Sequence, residues 1–155
     1  METKHKSDLK WAIMQIDNAN TSFDMESERF YLNSARARLD NALRHDSDFL
    51  PALFLKAQAS PRREKDVLQN YQKVLDYKPT TKARISRVYF ELANFYADEY
   101  FTGTEEVNLK NPKRLKAIEY AKKSFDVMPN ENAIELLQEF NINTEELEKR
   151  LKQWD

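Results

Sequence analysis

The residues of this chain that could perform acid–base or metal chemistry are few and far apart. It has two histidines, His5 and His45, and no cysteine. Neither histidine has a partner at the spacing that a metal site or a general base requires, and His45 falls in the last turn of a predicted helix, where the helix dipole favours it. Residues 17–28 have the length of a calcium-binding loop, but several of its ligand positions lack the required oxygen atoms and turn glycine. We therefore predict a protein that is not an enzyme and has no catalytic, metal-binding or cofactor-binding residues.

Charged residues make up 33 % of the chain, but 25 basic and 26 acidic side chains leave a net charge of −1. This balance argues against nucleic acid and anionic membranes as partners. Two stretches are nevertheless locally basic: Lys73, Lys78, Lys82, Arg84 and Arg87, and then Lys110, Lys113, Arg114 and Lys116. Solvated helix surface explains such clusters, and an acidic peptide segment is the ligand that they would favour.

The elements that position these side chains are predicted to be helices alone. The chain has a single glycine, against an average share of about 7 %, which disfavours sheets and phosphate-binding loops. Apolar periodicity and capping signals predict eight helices, at about 8–22, 28–45, 50–59, 63–77, 81–100, 112–128, 131–140 and 145–154. A polar N-terminus and the lack of a long apolar run favour a cytoplasmic protein.

One pattern of small and apolar residues occurs three times along the chain. Its members are spaced by four, three and five residues: Ala35, Leu39, Ala42 and Ser47; Val67, Tyr71, Val74 and Pro79; Ala117, Ala121, Ser124 and Pro129. The first three members of each set share one helical stripe, and the fourth lies just past the helix end. A helix with such a seam and such a stop, repeated along a chain, is typical of stacked helical hairpins.

Over about residues 28–130 the chain resembles the tetratricopeptide repeat family, with three degenerate repeats. Residues 117–129 resemble the second-helix consensus over their whole length, residues 67–79 match it almost as well, and Tyr89 and Ala93 fit the first-helix pattern. The second helices lie 32 and then 50 residues apart, whereas the family repeat has about 34 residues, so the last repeat is expanded.

The resemblance implies an all-α fold, a right-handed solenoid of antiparallel helical hairpins. It would form a single domain over residues 1–155, with an N-terminal helix and turn in 1–27, the repeats in 28–130 and C-terminal capping helices in 131–155. Another helical fold, in which the spacing is accidental, is the alternative.

In the family, the first helix of each repeat lines a concave groove that holds a peptide. Position by position, the resemblance implies that the peptide-binding residues here are Phe54, Gln58, Arg87, Phe90 and Asn94. The implied function is that of a non-catalytic adaptor, a monomer or a homodimer, which binds a peptide or helix of another protein without a cofactor. A secretion-type chaperone for an effector protein and a structural subunit of a larger complex stay open as alternatives. The 101–111 loop is the next candidate contact.

Overall fold

A computed structural model describes residues 4–45, 50–59, 63–78, 81–103 and 109–154, and within these ranges all regular structure is helical. Eight helices lie there: α1 (Lys4–Asn20), α2 (Met25–His45), α3 (Leu50–Ala59), α4 (Glu64–Asp76), α5 (Lys82–Thr102), α6 (Pro112–Val127), α7 (Glu131–Glu139) and α8 (Glu145–Trp154). The predicted all-α class and the predicted helices are confirmed. None of these helices is long and apolar enough to span a membrane.

Short polar side chains fix several of the helix ends. Four of them accept hydrogen bonds of 2.7 to 3.2 Å from amides of the first turn: Asp24 for α2, Thr81 for α5, Asn111 for α6 and Asn130 for α7. These bonds satisfy amides that have no partner inside the helix. At the other end of α7, Asn141 takes a left-handed conformation with φ 61°, a geometry that ends helices and that asparagine tolerates.

The chain divides into two compact units, Met1–Tyr77 and Lys78–Asp155. The first contains α1 to α4 and the second contains α5 to α8. Buried apolar side chains form a core in each unit. A single domain over 1–155, with divisions at 27 and 130, stays a prediction.

Small side chains build the core of the first unit. The buried cluster contains Ala12, Ala35, Leu39, Ala42 and Ala52. Larger side chains, among them Leu9 and Leu55, pack around its margin. Because alanine occupies little volume, α1, α2 and α3 approach closely at this point. The predicted seam of α2 is therefore buried, whereas its fourth member, Ser47, lies outside the described residues.

A buried carboxylate links α1 to α2. Asp8 is 3 % exposed; it pairs with Arg38 Nη1 at 3.4 Å and accepts a hydrogen bond from Asn41 Nδ2 at 2.8 Å. The Arg38 guanidinium also lies over the ring of Trp11, 5.0 Å from its centroid. A charge that leaves water needs such partners, so these contacts hold α1 in one register on α2.

The second seam is buried along α4. Val67, Tyr71 and Val74 are its buried residues, and the Tyr71 ring meets Phe54 of α3 edge-on, with centroids 6.1 Å apart. The fourth member of this seam, Pro79, lies outside the described residues.

In the second unit, α5 packs along α6. The first three members of the third seam, Ala117, Ala121 and Ser124, have no exposed surface, and the fourth, Pro129, is part-buried. Beside this seam, the rings of Tyr96 and Tyr120 stack in parallel planes with centroids 5.8 Å apart. Small residues thus bring the two helices together, and aromatic rings fill the space at their side.

The helix α8 covers the apolar end of α6 and α7. Leu147 and Leu151 pack against a buried cluster of Phe125, Ala133 and Ile134. Arg150 adds a polar contact, since its Nη1 lies 3.5 Å from Asp126 and its guanidinium lies over the Phe125 ring. These contacts fix α8 on the second unit.

Candidate functional site

The five predicted peptide-binding residues lie on two helices, one in each unit. Phe54 and Gln58 are part-buried on α3, where Phe54 contacts Tyr71, and Arg87, Phe90 and Asn94 lie on α5. Arg87 and Phe90 line one cleft together, and Asn94, on the same helix, lies outside its lining. Two of the five predicted residues, Arg87 and Phe90, therefore line one cavity, which lies within the second unit.

This cleft, which we call the α5–α7 cleft, has a volume of about 400 Å³ and lies within the second unit. Its lining comes from α5, from the end of α6 and from the start of α7: Ala83, Ser86, Arg87, Phe90, Glu91, Ser124, Met128, Asn130 and Asn132. Pockets for small ligands have volumes of about 300 to 1,000 Å³, so the cleft lies near the lower end of this range.

Two buried serines form the floor of the cleft and join α5 to α6. The Ser86 hydroxyl donates to the carbonyl of Ser124 at 2.9 Å, and the Ser124 hydroxyl donates to the carbonyl of Ser86 at 2.8 Å. Each hydroxyl proton thus forms a hydrogen bond between the two helices. Since the small serine side chains also allow close approach, the pair fixes both the distance and the register of α5 on α6.

Asn130 completes this network from the start of α7. Its Nδ2 donates to the carbonyl of Met128 at 2.9 Å and lies 3.3 and 3.4 Å from the hydroxyl oxygens of Ser124 and Ser86. Its Oδ1 accepts the amide of Ala133 at 2.8 Å, which caps α7. The polar groups of the floor are therefore satisfied by one another, and a ligand gains little from bonding to them.

The upper part of the cleft has an apolar surface and one ion pair. Phe90, Ala83 and Met128 offer carbon surface, and Phe90 and Met128 are only part-buried. Above them Arg87 Nε lies 3.9 Å from Glu91 Oε1, with side chains 62 % and 23 % exposed. This pair is long and its Arg87 side is mostly exposed, so the contact is weak.

The arrangement does not supply the parts of a nucleophilic site. A serine nucleophile needs an adjacent base, whereas Ser86 and Ser124 donate their protons to carbonyl oxygens. Among the described residues, no group of three or more histidine, cysteine, aspartate or glutamate side chains is placed to hold a metal ion.

Basic side chains of the second cluster contact neighbouring residues within the second unit. Lys113 Nζ pairs with Glu99 at 3.3 Å, and Lys116 Nζ lies 5.1 Å from the Tyr96 ring centroid. Arg114 donates to the carbonyls of Leu109 and Phe140. These contacts support the interpretation of this cluster as helix surface.

Reasoning from the sequence missed Ser86, Asn130 and Asn132 as cleft residues. Asn130 follows Pro129 directly and precedes an apolar stripe, which is a signal for a helix cap. Ser86 carries no comparable signal, because its partner Ser124 is 38 residues away in the chain.

Comparison of the chain with protein-family models, with curated proteins and with solved structures finds no match. The resemblance to tetratricopeptide repeats therefore depends on the residues of the chain itself.

Proposed function

We propose that this chain is a non-catalytic protein-interaction module, a tetratricopeptide-like array of helical hairpins that binds a segment of a partner protein. The observation that carries the proposal is the α5–α7 cleft, which Arg87 and Phe90 line together. Both residues are among those that the family resemblance implies for peptide binding.

The chemistry of the cleft suggests what kind of segment it takes. Its floor is already hydrogen-bonded, so the affinity has to come from an apolar side chain that packs on Phe90 and Met128. Arg87, whose side chain is mostly exposed, then pairs with a neighbouring carboxylate of the ligand. We expect a ligand with an apolar anchor next to an acidic residue.

Peptide selection followed by variant binding tests this proposal. Peptides from a random displayed library are selected on the wild-type chain, synthesised and titrated by fluorescence anisotropy. Phe90→Ala removes the anchor surface and should cost about 2 kcal/mol, which raises Kd about 30-fold. Arg87→Glu should weaken acidic peptides mainly through a slower association rate, and this effect should fade at high salt.

A matched control separates the cleft from general surface effects. Glu145 and Lys149 are exposed residues of α8, outside the cleft, and changing both to alanine should leave Kd within about twofold. Circular dichroism checks that Phe90→Ala keeps its fold. If no peptide is enriched, or if the enriched peptides bind Phe90→Ala as tightly as the wild type, the cleft is not the binding site.

A second candidate function is that of a permanent subunit of a larger complex. The segment at the start of α2 favours it, because Phe23, Met25 and Phe30 are 103 %, 77 % and 67 % exposed. Three large apolar side chains this close in sequence are typical of a surface that a partner covers. Sedimentation of the natively expressed protein distinguishes the two functions, since a subunit would sediment only as part of an assembly.

A further inference from the structure

A second groove of the second unit lies between α7 and α8, and its residues differ from those of the α5–α7 cleft. It has a volume of about 390 Å³. Its apolar floor is the part-buried Leu151 with the edge of Ile134, which is 4 % exposed. Three carboxylates and one ammonium group surround this floor: Glu131, Glu135, Glu148 and Lys152.

Two carboxylates on α7 have no basic partner among the described residues. Glu131 and Glu135 are both exposed and are four residues apart, so they face the same side of the helix and repel each other. Within the described part of the chain, no basic side chain lies within ion-pair distance of either. Lys152 lines the same groove without forming such a pair. The groove therefore has an excess of negative charge beside an apolar floor.

Contacts outside the groove and across it hold its walls in place. Leu147 packs on the cluster around Phe125, and Arg150 pairs with Asp126. Across the groove, Gln138 Nε2 donates to Thr144 Oγ1 at 3.0 Å and lies 3.4 Å from Glu148 Oε1. A groove that is already formed loses less entropy when a ligand binds.

We propose that the α7–α8 groove docks a basic amphipathic segment of a partner protein, with an apolar side chain on Ile134 and Leu151 and lysine or arginine residues beside Glu131 and Glu135. Charge complementarity selects this occupant, because carboxylates around an apolar floor attract cations and repel acidic peptides, phosphates and anionic lipids. The groove would thus bind a ligand of opposite charge to the one expected in the α5–α7 cleft, and the two proposals stand independently.

Nuclear magnetic resonance titration of the full chain tests the proposal. The probe is a short peptide in which two leucines are separated by two lysines and flanked by lysine pairs. One comparison peptide has glutamate in place of each lysine, and the other has serine in place of each leucine. We expect saturable shifts in the amide signals of α7 and α8 with the first peptide, no saturable binding of the glutamate peptide, and at least about tenfold weaker binding of the serine peptide.

Variants with equal charge changes test the site. Glu131→Gln with Glu135→Gln should raise Kd for the lysine–leucine peptide about tenfold and reduce its salt dependence. Glu26→Gln with Glu28→Gln, which removes two exposed carboxylates from α2, should change Kd less than about twofold.

Several results would overturn the assignment. These are no saturable shift at millimolar peptide, shifts centred on other helices, equal binding of the glutamate peptide, or an equal loss in the α2 control. Self-association that Glu131→Gln with Glu135→Gln abolishes would assign the groove to a second copy of the chain and would also overturn the proposal. The mapping uses the wild-type chain, so it remains decisive if the variants fold poorly.

Discussion

We predict that the reciprocal hydrogen bonds between Ser86 and Ser124 contribute measurably to the stability of the second unit. Ser124 has no exposed surface, and Ser124→Ala removes its donation to the Ser86 carbonyl at 2.8 Å and its contact with Asn130 Nδ2 at 3.3 Å. A buried hydrogen bond contributes about 1 kcal/mol net, and the second contact is longer and weaker. We therefore expect a loss of about 1–2 kcal/mol. For a unit of this size each kcal/mol lowers Tm by about 4–8 °C.

Amide nuclear magnetic resonance signals can follow the second unit alone. Urea unfolding monitored at the buried residues of α5 and α6 reports on that unit. This readout avoids assuming that both units unfold in one transition. Lys122→Ala, at an exposed position of α6 in the same unit, is the control and should change stability by less than about 0.5 kcal/mol.

A double-mutant cycle sharpens this test. Ser86→Ala together with Ser124→Ala should cost less than the sum of the single changes, because the two hydroxyls share contacts with each other and with Asn130. Unfolding of Ser124→Ala at the same urea concentration as the wild type would refute the reasoning.

Three further predictions concern the helix ends and surfaces. Deleting 144–155 uncovers the apolar end of α6 and α7 and should destabilise the second unit by about 2 kcal/mol or more, or cause aggregation; an unchanged thermal melt would contradict the packing of α8. The amide and hydroxyl of Ser27 lower the pKa of Asp24, so its stabilising effect is present above the ordinary value of 3.8 and is lost as the pH falls through the lowered value. Asp24→Asn should therefore reduce the acid dependence of α2 helicity in a circular dichroism titration; an unchanged profile would count against this cap. Glu135→Gln relieves repulsion with Glu131 and should raise stability by about 0.2–0.5 kcal/mol in urea titrations, and a loss would show that the pair is compensated.

Local signals in the sequence were sufficient to predict the helices. Asn111 and Pro112 mark the start of α6, and Asn111 does cap it. Each seam also has a local period of its own, so the burial of Ala117 and Ala121 follows from their spacing. The first helix is described from Lys4, ahead of the predicted residue 8. Asp8 does not start the helix but lies within it, where its buried carboxylate contacts Arg38 and Asn41 of α2.

The contents of the cleft were predictable only in part. Arg87 and Phe90 could be transferred from the family pattern, because each occupies a fixed position within one helix. The hydrogen bonds of Ser86 and Asn130 depend on which helix lies beside α5, and a single sequence does not encode that neighbour locally. The ion pair between Arg87 and Glu91, by contrast, joins residues four apart on α5, a spacing that the sequence itself shows.

The central claim is that the α5–α7 cleft holds a segment of a partner protein. The most direct measurement is the amide chemical-shift map of the wild-type chain titrated with a peptide selected on it. The account predicts that the largest shifts fall on Ser86, Arg87, Phe90, Met128 and Asn132, and that they are lost with Phe90→Ala. Shifts centred on any other surface, with these residues unchanged at saturation, would contradict it.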